Sequence, residues 1–208
     1  VSQKGNEFAP SERQQGGIKM NSKKSNSTEK LALCALLTAI VVIFQLMGAA
    51  IKFGPFSVSF VLVPVVIGAA MCGAAAGAWL GFVFGIVVLF TDAGLFLSVS
   101  VIGTIVTVLL KGTLCGLCAG AVYKALEKHN RYAAVAVAAA VCPIVNTGVF
   151  LLGCSVFFMD TIREWAGGDI MTYIIFTLVG GNFLFEVLSN IILSPVIVRI
   201  LNIRNKQA

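Results

Sequence analysis

Six long apolar runs constrain this chain more than any other feature, at about 30–50, 57–72, 75–91, 97–126, 132–158 and 170–201. Runs of about 15 to 30 apolar residues are what a helix needs to cross a bilayer. Only 12% of the residues are charged, against about 25% in a soluble domain. The expected fold class is therefore all-α integral membrane: a six-transmembrane-helix bundle spanning 29–203. Residues 1–28 are expected to be a disordered polar segment and 204–208 a basic cytoplasmic tail. Residues 1–28 lack the apolar core of a signal peptide. Met20, ahead of a basic run, reads as a natural start, with residues 1–19 either an upstream extension or an added, non-native segment.

The third run holds a stripe that would be costly in water. "GAAAGAWLGFVFG" places glycine at Gly73, Gly77, Gly81 and Gly85, each of which weakens a soluble helix by about 1 kcal/mol against alanine. Lipid tails give helices no hydrophobic reason to associate, so close backbone packing through small residues takes over. Gly112, Gly116 and Gly120 repeat the device in the fourth run. Both stripes are read as packing surfaces. Runs two and three are parted only by Cys72-Gly73-Ala74, which predicts a tight helical hairpin. The cysteines Cys34, Cys72, Cys115, Cys118, Cys142 and Cys154 all lie in apolar segments. Cys115 and Cys118 form a single CxxC with no second pair, so they are read as packing residues rather than as a metal or redox centre.

Charge sets the expected orientation. The net charge is +6, and basic clusters fall before run one (Lys19, Lys23, Lys24, Lys30), after run four (Lys124, Lys128, Arg131) and in the tail (Arg199, Arg204, Lys206). With six crossings these share one side, which the positive-inside rule makes the cytoplasm for both termini. His129 in the run four–five loop is read as a solvated surface residue.

Polar side chains within a bilayer are expensive and face the protein interior. They are Gln45 in run one, Lys111 in run four, Asn146 beside Thr147 in run five, and Asn182, Glu186 and Asn190 in run six. The last three are spaced by four and share one helical face. A rise of 1.5 Å per residue puts Lys111, Asn146 and Glu186 at similar depths, roughly 18 to 24 Å below the outer ends of their helices. Two readings stay open at this point. Lys111 and Glu186 neutralise each other while the amides link helices, or these groups line a polar pocket open to the outside. Pro143 frees a backbone carbonyl nearby. The connections 51–58 and 159–170 combine glycine with aromatic residues, and are read either as flaps over such a pocket or as plain loops with an interfacial Trp165.

The chain resembles the S component of energy-coupling factor (ECF) transporters over about residues 28–203. The resemblance rests on "LALCALLTAIVVIF", in which Ala35 and Ala39 match an Ala-xxx-Ala motif, on "VLVPVVIGAAMCG" leading into a glycine-rich helix, on "CPIVNTGVF", and on "GGNFLFEVLSNIILSPVIVRIL". It implies a six-helix bundle in the bacterial plasma membrane that binds a small water-soluble vitamin or related micronutrient between helices four to six. The run "VLVPVVIGA" resembles pantothenate and riboflavin members. It further implies docking, through the alanine face of helix one, onto a scaffold membrane subunit that carries two ATPases, and toppling to release substrate. Ala32, Ala35 and Ala39 share that face, and the alternative is packing inside the bundle. No glycine-rich phosphate loop with lysine is present, so no cofactor is expected here and ATP is left to partner subunits. The expected substrate-binding residues are Asn146, Asn182, Glu186, Lys111, Thr147 and Gln45. No catalytic or metal-binding residue is expected. Two rival classes remain, a proton-coupled carrier using Glu186 and an intramembrane enzyme using Lys111 with Glu186.

Overall fold

A computed structural model describes residues 22–50, 52–53, 56–57 and 60–207. The expected disorder of residues 1–21 lies outside the described residues. Helix α1 spans Ser22–Ala50, starting ahead of the boundary drawn at 28. Strands β1 (Lys52–Phe53) and β2 (Phe56–Ser57) pair antiparallel, with Lys52 opposite Ser57. Then come α2 (Leu62–Cys72), α3 (Ala74–Thr91), α4 (Gly94–Val99), α5 (Val101–Leu126), α6 (Arg131–Phe157), α7 (Met159–Ala166) and α8 (Ile170–Thr172). A π-helix over Tyr173–Gly180 leads into α9 (Gly181–Gln207), which continues past the boundary drawn at 203.

Among the described residues, five segments are long and apolar enough to cross a membrane: Thr28–Ala50, α3, α5, α6 and the composite Ile170–Ile203. The second run departs from the sequence reading. Helix α2 has 11 residues, about 16 Å at 1.5 Å per residue, well short of a hydrocarbon core of about 30 Å. A short apolar helix of this kind suits a buried core position, and that is where it sits. It packs against α1, α3, α5, α6 and α9, and Leu62, Val63, Val65, Val66 and Ala69 are all buried. Pro64 occupies its first turn, where a missing N–H costs no helical bond.

The expected hairpin is present with a single linking residue. Gly73 ends α2 and begins α3 at φ 101°, donating its N–H to the Ala69 carbonyl at 3.1 Å. An added Cβ there meets nothing within 4 Å, so the backbone angle rather than space requires glycine. The two glycine stripes face each other. A Cβ on Gly77 would lie 2.5 Å from the Gly116 carbonyl oxygen. Gly81 and Gly112 would each strike the other's carbonyl, and Gly120 sits on Ala74. Helices α3 and α5 consequently form the most extensive pairing in the bundle, followed by α5 with α6.

Successive helices run in alternate directions. The Cys72 thiol approaches the Lys30 carbonyl at 3.7 Å, so α2 ends where the membrane-length part of α1 begins. The opposite end of α1 meets the end of α3, where Gln45 bonds Asp92. The Arg131 guanidinium joins the end of α5 (Tyr123 hydroxyl, 3.4 Å) to the end of α9 (Asn202 Oδ1, 3.3 Å). Lys30, Arg131 and Arg199 therefore mark one basic end of the bundle.

Two connections differ from their expected form. Run four breaks at Ser100, whose side chain caps α5 by accepting from the Gly103 N–H at 3.2 Å. The expected loop 159–170 contains α7, an amphipathic helix with Ile162 fully buried beneath it. Asp169 caps α8, and hydrogen bonds from the Thr172 hydroxyl and backbone N–H hold its carboxyl below the usual aspartate range. Only part of the connection 51–58 is among the described residues, so its expected role as a flap lies outside them. All six cysteines are free thiols.

Candidate functional site

Polar groups in this bundle collect between α5, α6 and α9. The Asn146 amide donates to Glu186 Oε2 at 3.4 Å, linking α6 to α9. Both residues are buried, at 5% and 8% exposure. Asn146 Oδ1 meets no hydrogen-bond donor among the described residues.

Lys111 reaches the same region from α5. Its Nζ lies 5.0 Å from the centre of the Phe150 ring, one turn along α6 from Asn146, and 6.0 Å from that of Phe84 on α3. Both distances are within reach of a cation–π attraction. No direct ion pair within 4.0 Å closes between Lys111 and Glu186, though each lies within electrostatic reach of the other. An amine set over ring faces and a carboxyl held by one amide both keep bonding capacity.

Three more buried acceptors lack partners among the described residues: Thr107 Oγ1, Asn182 Oδ1 and Asn190 Oδ1. Asn182 and Asn190 flank Glu186 by one turn on either side along its face. Thr107 lies one turn from Lys111 and packs against Gly153 of α6. Buried polar groups in folded proteins are nearly always bonded, and an unpaired one costs about 1 to 3 kcal/mol. Four such atoms lie on three adjoining helices, those on α9 about 12 Å apart along its axis.

Aromatic side chains border this region. Phe96 of α4 makes edge-on contacts with Phe150, Phe158 and Trp165 at ring-centre distances of 5.6, 5.1 and 5.9 Å. Phe60 meets Phe185, the residue before Glu186, at 5.4 Å. Trp165 thus belongs to a cluster spanning α4, α6 and α7.

The structure accordingly brings Lys111, Asn146 and Glu186 together, with Asn182 on the same face of α9. Thr147 is partly buried beside Asn146 and makes no side-chain hydrogen bond among the described residues. Gln45 is engaged elsewhere. Its amide donates to Asp92 Oδ2 at 2.7 Å and to Thr91 Oγ1 at 3.2 Å, joining α1 to α3. Sequence reasoning passed over Thr107 and left Asn190 out of the site. Position i−4 from Lys111 was the available signal for Thr107.

Helix α1 shows a different surface. Ala32, Ala35 and Ala39 are exposed, as are Leu31, Leu36, Ile43 and Met47, so the alanine stripe is not spent on packing inside the bundle.

Apolar membrane-length helices with a few buried polar groups between them define an all-α, multi-pass membrane protein. A family model described as ECF transporter, substrate-specific component, matches residues 29–201. The chain belongs to that family and is a substrate-specific membrane subunit of an ECF transporter. The family is one of substrate-binding transport subunits rather than enzymes. No curated protein and no solved structure matches the chain.

Proposed function

We propose that this chain captures a small water-soluble, vitamin-like molecule between α5, α6 and α9 and delivers it through an ECF-type importer of the bacterial plasma membrane. The four unpartnered acceptors, Thr107 Oγ1, Asn146 Oδ1, Asn182 Oδ1 and Asn190 Oδ1, carry this reading. A ligand offering N–H or O–H donors would relieve their cost. Lys111 suits a carboxylate or phosphate on the same ligand. Of the pantothenate and riboflavin classes, a pantothenate-like molecule supplies a carboxylate together with amide and hydroxyl donors. Lys111, Asn146, Thr147, Asn182 and Glu186, together with Thr107 and Asn190, are the proposed contacts, and Gln45 is an inter-helix link.

The basic end of the bundle faces the cytoplasm in this reading, with both termini there. Helix α2, short and enclosed by its neighbours, counts as the sixth pass in this reading. The exposed Ala32, Ala35 and Ala39 admit a helix of the scaffold membrane subunit at close approach. Two ATPases on that scaffold hydrolyse ATP.

Reconstituted vesicles test the proposal. Uptake of labelled pantothenate-class substrate is expected only when the scaffold subunit, both ATPases and ATP are present. Uptake by this chain alone under a pH gradient would identify a carrier instead. Chemical turnover of the substrate, lost in Glu186→Gln, would identify an enzyme.

A further inference from the structure

A second recess lies at the basic end, remote from the Asn146–Glu186 cluster. Tyr132 at the start of α6 and Pro195, Val198, Arg199, Asn202 and Ile203 of α9 enclose about 380 Å³. Its lining divides by chemistry. Pro195 and Ile203 put apolar groups about 12 Å apart along α9, at 1.5 Å per residue, over a floor that reaches the buried Val198. Arg199, Asn202 and Tyr132 supply polar groups, and no carboxylate lines the recess among the described residues. The Arg199 guanidinium is exposed and forms no hydrogen bond or ion pair among the described residues. Arg131 is already engaged, donating to Asn202 Oδ1 at 3.3 Å and to the Tyr123 hydroxyl at 3.4 Å. That bond fixes the Asn202 amide, because its oxygen accepts and its NH2 is left to donate elsewhere. The Tyr132 side chain is 64% exposed.

The recess therefore presents a guanidinium fork, an amide NH2 and a phenol beside apolar groups spread along α9. A planar fork matches phosphate oxygens, and basic residues at the ends of membrane helices attract anionic lipid headgroups. We propose that this recess binds an anionic phospholipid, with its phosphate on Arg199 and Asn202 and an acyl chain along Pro195, Val198 and Ile203. The apolar lining favours a lipid over a free anion.

Native mass spectrometry of the detergent-purified full chain tests this. The probes are phosphatidylglycerol and phosphatidylcholine with identical acyl chains. Wild-type protein should retain the glycerol lipid at least about fivefold better, the fold-change of about 1 kcal/mol for one basic side chain. Arg199→Gln should abolish the preference, and Arg199→Lys should keep part of it. Thermal unfolding in the same detergent should show both variants folded. Inorganic phosphate at equal concentration should not displace the lipid. Equal retention of the two lipids by wild type, an unchanged preference in Arg199→Gln, or displacement by inorganic phosphate would each overturn the proposal.

Discussion

Thr107 separates the cost of an empty site from the benefit of a filled one. Its hydroxyl is buried and unpartnered among the described residues, so replacing it with an apolar group of the same shape removes a penalty. Thr107→Val should leave the melting temperature of ligand-free protein unchanged or raise it, while weakening ligand binding by about 0.5 to 1.5 kcal/mol for one lost hydrogen bond. Calorimetric titration beside a thermal melt checks both signs, and a drop in ligand-free stability would contradict the assignment. Asn146→Ala should behave oppositely in the empty protein. It removes the amide donor of Glu186 and should cost about 1 to 3 kcal/mol of stability. The sequence marked Asn146 and Glu186 because amides and carboxylates are rare in apolar runs. It could not mark Thr107, since a threonine in a membrane helix usually bonds its own backbone, as Thr104 and Thr113 do here. Nor could it separate Gln45 from the cluster, because its partners Thr91 and Asp92 are known only once α1 lies on α3.

At the scale of elements, the α3–α5 contact is the feature least tolerant of change. Backbone carbonyls meet the missing side chains of Gly81 and Gly112, and a carbonyl inside a helix cannot rotate away. Gly81→Ala and Gly112→Ala should each destabilise by about 1 to 3 kcal/mol, the usual range for overpacking. Gly148→Ala on α6 is the control, since a Cβ there meets nothing within 4 Å. Thermal unfolding in one detergent compares the three, and equal tolerance would refute the close-approach account. Glycine spacing announced this contact, because its period matches a helical face. Length misled at α2. Hydropathy alone marked a segment as apolar without distinguishing lipid from protein as its surroundings, and α2 is apolar because five helices enclose it. The Gly167-Gly168 pair, with φ of 60° and 124°, drew a loop over 159–170, whereas Met159–Ala166 is an amphipathic helix seated by Ile162. The π-helix Tyr173–Gly180 leaves no hydropathy signal. Its wide turns show only in the closeness of Gly180 to the Ile175 carbonyl, five residues back.

At the scale of the whole molecule two surfaces stand apart. The interior of α5, α6 and α9 holds polar atoms without partners among the described residues, and the outer face of α1 exposes small residues. Helix α1 touches chiefly α2 and α3, so its alanine face can change without disturbing the cluster. Ala35→Trp and Ala39→Trp should abolish ATP-driven uptake in vesicles containing the partner subunits while leaving ligand affinity of the isolated chain unaltered. Loss of affinity in these variants would show that α1 supports the interior rather than a partner. The central claim, that the unpartnered acceptors hold a captured molecule, is tested most directly by native mass spectrometry of the purified chain supplied with pantothenate-class ligand. Wild type should carry one small molecule per chain. Asn182→Ala, which breaks no hydrogen bond among the described residues, should fold normally and carry it at clearly lower occupancy. Equal occupancy in the two proteins, or no small-molecule adduct on wild type, would contradict the account.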